Sequence, residues 1–148
     1  MTRHVYRSSL SWSGSTADYA TYDRRHEVTV GAGSLAVSAD AAFSGDPDLT
    51  NPEQMLVAAA SSCQLLSFLA LASRSGVEVV GYNDDAEGVM PESEEPRRIT
   101  AIVLRPKIVV RGGTVQRVER LVHKAHQQCY IANSLNSDVV LEPRIEVI

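Results

Sequence analysis

Apolar and polar residues alternate along the first forty residues in the manner of β-strands. The alternation is clear in residues 5–12, again in residues 26–30, and it continues in residues 34–37. The glycine-containing segment 31–34 between the last two is typical of a hairpin connection. The pattern therefore predicts strands joined by turns at the start of the chain.

A long helix is predicted from Pro52 to about Ser75. Thr50 is a candidate N-cap, Pro52 suits the first helical turn, and Glu53 stands where the far half of a capping box would be. Small and apolar residues then recur at helical spacing, and Gly76 is placed to end the helix. The pattern indicates a largely buried helix.

Branched residues favour further strands at 77–82, 99–104 and 107–110, and the acidic stretch 83–98 is interpreted as a strand end followed by an exposed loop. A second helix should open at residues 112–114. Its apolar positions follow helical spacing, and they are Val115, Val118, Leu121, Val122, Ala125 and Cys129. We therefore expect both Cys63 and Cys129 to lie on helices facing the core.

For the tail, residues 138–148, the sequence pattern predicts an irregular connection or a pair of strands. The whole pattern is that of an α+β protein in which strands, helix, strands, helix and strands follow one another. With 148 residues the chain has the size of one domain, so we expect a single domain over residues 1–148.

Composition narrows the classes of function. Hydrophobic residues make up 44% of the chain and charged residues 22%, which is ordinary for a globular protein and unlike a disordered one. The net charge of −4 argues against nucleic acid as a partner, because such binding depends on clustered Lys and Arg. We recognise no signal-peptide core and no stretch approaching a membrane span, so we expect a cytoplasmic protein with no membrane partner.

The chain has two cysteines, Cys63 and Cys129, which are too few for a disulfide scaffold. A pair in a reducing compartment is more often catalytic, redox-sensing or simply buried than structural. The pair alone is weak evidence, because free cysteine is among the most frequently buried residues and usually acts as a small hydrophobe.

The sequence around each cysteine carries more information. Residues 51–63 read Asn-Pro-Glu, then an alanine-rich turn, then Cys63; residues 125–133 read Ala-His-x-x-Cys with an Asn shortly after Cys129. Both segments resemble the two cysteine motifs of the OsmC/Ohr family, and the likeness runs from about His26 onward. The chain departs from the family pattern at Gln64, where many members have an aromatic residue, and at Tyr130, where many have proline.

The resemblance implies a fold and an activity. The fold would be antiparallel sheets packed around two long central helices in an interlocked homodimer. The activity would be reduction of organic hydroperoxides, with Cys63 as the attacking thiolate and Cys129 as the resolving cysteine. The cycle would require an external dithiol or lipoyl-type reductant. It would need no bound cofactor and no metal.

The resemblance also implies an arginine beside the thiol, oriented by the glutamate of the Asn-Pro-Glu segment. The candidates are Arg24 or Arg25, with Glu53 as the partner. Other readings stay open: paired arginines are commonly solvated, and Glu53 could serve only a capping box with Thr50. In one continuous helix, Glu53 and Cys63 are separated by roughly 15 Å along the axis. Contact would then require a bridging arginine, a helix break or a subunit interface.

Two alternatives remain. His123, His126 and Cys129 could offer metal ligands, but without further ligands nearby we regard a zinc site as a poor interpretation. The alternative from another functional class is a redox-inactive OsmC-like protein that binds a small molecule or has a structural role under stress.

Overall fold

The computed structural model describes all 148 residues and has two α-helices and nine β-strands. The helices are α1 (Pro52–Arg74) and α2 (Val115–Gln127). The strands are β1 (Ser8–Ser11), β2 (His26–Val30), β3 (Gly33–Val37), β4 (Glu78–Asp84), β5 (Glu87–Val89), β6 (Ala101–Leu104), β7 (Pro106–Arg111), β8 (Asp138–Leu141) and β9 (Arg144–Val147). Short 3₁₀ helices lie at Ala41–Phe43 and Ala132–Ser134. The α+β composition and the predicted order of elements are therefore confirmed.

The chain forms two compact units, residues 1–55 and 56–148. That residues 1–148 act as one domain remains a prediction, which a single cooperative unfolding transition would support. In the first unit, β1, β2 and β3 form an antiparallel sheet, and Val30 pairs with Gly33 across a two-residue turn. Gly31 in that turn has φ +59°, which favours glycine. The hairpin predicted there is confirmed.

The second unit contains two three-stranded sheets with the orders β4-β7-β9 and β5-β6-β8. β4 and β5 pair antiparallel to the central strands, whereas β8 and β9 pair parallel to them. The expected antiparallel sheets are therefore confirmed in part: antiparallel pairs predominate, but the two strands of the tail pair parallel. β8 and β9 do not pair with each other; each extends a different sheet, which the sequence pattern could not distinguish.

Hydrogen bonds to backbone groups cap helix α1 at both ends. Gln54 N–H donates to Asn51 Oδ1 at 2.9 Å, and Asn51 N–H donates to Gln54 Oε1 at 3.1 Å. This is a capping box one residue later than the Thr50–Glu53 box that the sequence offered as one possibility, so Glu53 is not its far half. At the other end, Gly76 has φ +70° and Val77 N–H donates to Ala72 O at 2.9 Å. This is a Schellman motif, so the predicted stop is confirmed.

Helix α2 is shorter than expected. Thr114 caps it by accepting from Arg117 N–H at 3.3 Å, and the helix ends at Gln127. Its 13 residues span about 20 Å, so only α1, with 23 residues, is long. Cys129 lies in the turn beyond α2, and the expectation that it stands on the helix was wrong.

The core has two clusters of buried apolar residues. One joins α1 and α2 to the sheet of β4, β7 and β9; its members are Phe68, Leu71, Ala72, Val77, Ile108, Val110, Val118, Val122 and Ala125. The other packs α1 against β6 and comprises Ala60, Ile99, Ile102 and Leu104. Burial of this apolar area is the main stabilising contribution.

Helix α1 is long and apolar enough to cross a membrane, with a window of mean hydropathy 1.9, which corrects the expectation that no stretch approaches that length. Only 28% of this window is buried, so the expectation of a largely buried helix is wrong. Helix α1 bears polar contacts within the second unit. Ser61 Oγ donates to Asp84 Oδ2 at 2.5 Å. Asp84 Oδ1 also accepts from Arg105 N–H at 2.7 Å, at the single residue that separates β6 from β7. Asp84 thus joins the helix to the corner where the two sheets meet.

Candidate active site

The two cysteines come together in the second unit. Cys63 lies on the middle of α1 and is partly exposed, whereas Cys129 is 1% exposed. Both are free thiols, and each side chain shifts the pKa of the other, so the two are close neighbours. The structure therefore brings together the two residues that the sequence places 66 positions apart.

The environment of Cys63 favours its thiolate. Burial acts to raise the pKa of this thiol, but backbone N–H groups of Ile131 and Tyr130 and the thiol of Cys129 act in the opposite direction. The hydroxyl of Ser67, one helical turn along α1, adds to them. The net result is a pKa lowered from the usual thiol range. Because a thiolate is the nucleophile, Cys63 is the more reactive of the two.

The environment of Cys129 has the opposite effect. Burial raises the pKa of this thiol, and the neighbouring Cys63 raises it further, although Ala132 N–H donates to Cys129 Sγ at 3.5 Å. Cys129 is therefore a protonated thiol when Cys63 is ionised. The partly exposed Cys63 is thus the first of the two to ionise, and the buried Cys129 keeps its proton to higher pH.

The turn after α2 supplies most of the groups that stabilise the Cys63 anion. Its N–H groups are free because α2 has ended and only a short 3₁₀ helix, Ala132–Ser134, follows. Tyr130, Ile131 and Ser67 were not predicted as site residues. Backbone donors carry no side-chain signature, and only the departure from proline at Tyr130, which retains an N–H there, hinted at them.

The arginines and Glu53 lie in the first unit. The guanidinium of Arg24 donates to Tyr22 O and to Tyr19 O, each at 2.9 Å, and stacks 3.8 Å from the centroid of the Tyr22 ring. Arg24 is half-buried and Arg25 is exposed. Neither arginine nor Glu53 forms an ion pair in the structure, so the predicted arginine–glutamate contact is not seen.

His126 lies one turn before Cys129 along the chain. Its Nδ1 is buried without a hydrogen-bond partner, and burial, together with nearby His123, lowers its pKa. No three His, Cys, Asp or Glu side chains gather in an arrangement that could hold a metal ion.

Comparison with known proteins places this geometry in a family. Residues 45–144 match the family described as OsmC-like protein. Protein YmaD of Bacillus subtilis (strain 168) is 25% identical over 146 residues, covering 96% of this chain and 93% of that protein.

Solved structures agree. The OsmC-like protein VCA0330 of Vibrio cholerae superposes with a TM-score of 0.84 at 29% identity, covering 99% of this chain and 100% of the other. An organic hydroperoxide resistance protein of Elizabethkingia anophelis shares the fold with a TM-score of 0.69 at 16% identity, with 99% and 100% covered. The match covers both cysteine segments, and the chain therefore belongs to the OsmC-like family.

Proposed function

We propose that this chain is a thiol-dependent peroxidase that reduces organic hydroperoxides to alcohols and acts in defence against oxidative stress. The observation that carries the proposal is the unequal pair of sulfurs. Cys63 is partly exposed with a lowered pKa, and the neighbouring, buried Cys129 contributes to that lowering. Solved structures of the same fold that are named organic hydroperoxide resistance proteins support the substrate class.

The proposed cycle starts at the Cys63 thiolate. It attacks the outer oxygen of the hydroperoxide; an S–O bond forms, the O–O bond breaks, and the alkoxide leaves as an alcohol after gaining a proton. Cys63 is then a sulfenic acid. The Cys129 sulfur attacks the sulfenic sulfur, an S–S bond forms, and the hydroxide leaves with the Cys129 proton as water.

An external dithiol or lipoyl-type reductant returns both residues to thiols by disulfide exchange. Closure of the disulfide requires the two Cα atoms to lie within about 7 Å. The mutual effect of the two thiols on their pKa values supports such an approach in the reduced protein. The cycle uses no bound cofactor and no metal.

We assign the site arginine to Arg24 rather than Arg25, with Glu53 as its carboxylate partner in the working enzyme. Arg24 is half-buried and held by backbone carbonyls and an aromatic ring, whereas Arg25 is exposed. Glu53 is available because the capping box uses Gln54 instead. A guanidinium is suitable because it stays charged and can bind two acceptors at once.

We further propose a homodimer. Along α1, Leu66 is 63% exposed and Leu69 is 37% exposed, and all four residues of β1 are exposed. A sheet of three short strands needs a covered apolar face to be stable, and a second copy of the chain would supply it. We place the protein in the cytoplasm, where it would work without nucleic acid or a membrane.

The test follows free thiols and intact mass after substoichiometric cumene hydroperoxide is added to the reduced protein. Wild type should lose two thiols per hydroperoxide added, as an intramolecular disulfide, Cys63→Ser should lose none, and Cys129→Ser should hold Cys63 as a sulfenic acid that dimedone traps. An unchanged thiol count in the wild type would refute the peroxidase and leave a redox-inactive OsmC-like protein that binds a small molecule or has a structural role.

A further inference from the structure

Gln64 is a polar residue in an apolar position. It follows Cys63 on α1 and is 1% exposed, and the other buried residues of α1 are all apolar: Ala60, Phe68, Leu71 and Ala72. A buried amide is costly unless it is hydrogen-bonded. Its Oε1 has no partner among the protein groups, so a leucine or methionine would suit this position better if packing were its sole role.

The amide nitrogen of Gln64 makes one directional contact. Nε2 donates to the backbone carbonyl of Val122 at 3.1 Å. Val122 is inside α2 and fully buried, and its carbonyl can accept this bond beside the helical one because it has two lone pairs. The bond therefore connects the turn of α1 that carries Cys63 to a fixed point on α2.

That point on α2 leads into the turn at Cys129. Val122 and Cys129 are seven residues apart, with the buried Ala125 between them. The N–H groups of Tyr130 and Ile131, which lower the pKa of Cys63, follow directly. Any sliding of α2 along α1 would move these donors and the Cys129 sulfur away from Cys63. Apolar side chains tolerate such sliding better than a hydrogen bond does, because they are not directional.

We propose that Gln64 is a positioning residue: its bond to Val122 fixes the register of α1 against α2 and thereby holds the Cys63 sulfur at the turn that carries Cys129. Its effect on turnover rests on the function proposed above, whereas its effect on the pairing of the two sulfurs does not.

The test uses the full-length protein and an oxidant that is not a peroxide. Diamide takes two electrons and two protons from the thiols as the Cys63–Cys129 disulfide forms, and becomes a hydrazine. Closure is timed by intact mass, and the ionisation of Cys63 is read from the pH dependence of its alkylation by iodoacetamide. Circular dichroism and chemical denaturation show whether each variant is folded and how stable it is.

Gln64→Met removes the donor and keeps the length of the side chain. We expect it to be folded and at least as stable as wild type, with closure slower by on the order of tenfold or more. Cys63 should alkylate only at higher pH than in wild type. Gln116→Met makes the same chemical change at an exposed position of α2, and should match wild type in every measurement.

Gln64→Glu supplies the conservative rescue. A protonated carboxyl can donate to Val122 O, whereas a carboxylate cannot. The rate of disulfide closure in Gln64→Glu should therefore equal that of wild type at low pH. It should fall to the rate of Gln64→Met as the carboxyl ionises. A folded Gln64→Met with wild-type closure and wild-type alkylation would overturn the proposal.

If Gln64→Met fails to fold, the test is the comparison of Gln64→Glu with wild type across pH. A ratio of their two closure rates that does not change with pH refutes the positioning role of Gln64. If wild type does not react with cumene hydroperoxide but Gln64→Met slows disulfide closure by diamide, only the proposed peroxidase activity is refuted. If wild type reduces cumene hydroperoxide but Gln64→Met leaves disulfide closure by diamide unchanged, only the positioning role of Gln64 is refuted.

Discussion

Replacing Asp84 by alanine should destabilise the second unit strongly. The substitution removes the acceptor of two hydrogen bonds, from Ser61 Oγ at 2.5 Å and from Arg105 N–H at 2.7 Å. Hydrogen bonds to a charged group contribute roughly 1.5–3 kcal/mol each. Because Asp84 is only partly buried and water can replace part of the loss, we expect the lower end, about 3 kcal/mol in total.

The control for this prediction is the next residue. Asp85 has a side chain 87% exposed, and its nearest cation, Lys107 Nζ, lies 3.9 Å away. Asp85→Ala should change the free energy of unfolding by less than about 0.5 kcal/mol. Urea denaturation of wild type and both variants, at one protomer concentration, measures the difference. If Asp84→Ala costs no more than Asp85→Ala, Asp84 does not stabilise the corner between β6 and β7.

Three further predictions concern the thiols, a histidine and a glycine. Iodoacetamide should alkylate Cys63 at pH values below its usual pKa range while Cys129 stays unmodified, as peptide mass mapping would show; equal rates would contradict the assigned pKa directions. The lowered pKa of His126 means that its stabilising contribution is present above about pH 6.5 and is lost as pH falls through its folded-state pKa, so His126→Gln should flatten the fall in melting temperature between about pH 7 and pH 5. Gly45→Ala should cost about 3 kcal/mol in urea unfolding, because the new Cβ would lie 1.7 Å from Ala39 O, whereas Gly33→Ala, where the nearest atom is 3.8 Å away, should be tolerated; equal effects would refute the steric argument.

The sequence predicted the elements well wherever a local pattern determined them. The extent of α1 follows from Pro52 at its start and Gly76 at its end, and the two-residue turn at Gly31 follows from the strands beside it. The capping box was displaced by one residue because Thr50 and Asn51 are both good caps, and only the three-dimensional path of the chain selects between them.

Long-range pairing was beyond the reach of local pattern. Alternation marks β8 and β9 as strands but does not say that each lies parallel to a different central strand. The helical spacing of apolar residues continues as far as Cys129 and therefore predicted a longer α2, although the helix ends at Gln127.

The cysteine pair itself was predicted from the motifs, whereas the donors that surround it were not. Tyr130 and Ile131 act through backbone N–H groups, which every residue except proline possesses, so their side chains give no sign of the role.

The burial of Cys129 has a consequence for how the oxidised protein would be recycled. A reductant can reach a disulfide only through a sulfur with open surface, so its attack is directed to Cys63, and the mixed disulfide forms there. Cys129 is then the leaving group, and its raised pKa makes it a poor one. A monothiol such as glutathione would have its bond to Cys63 reversed by the adjacent Cys129. A dithiol can complete the exchange within its own molecule, so in the proposed cycle the difference in exposure between the two sulfurs would favour a dithiol as the reductant.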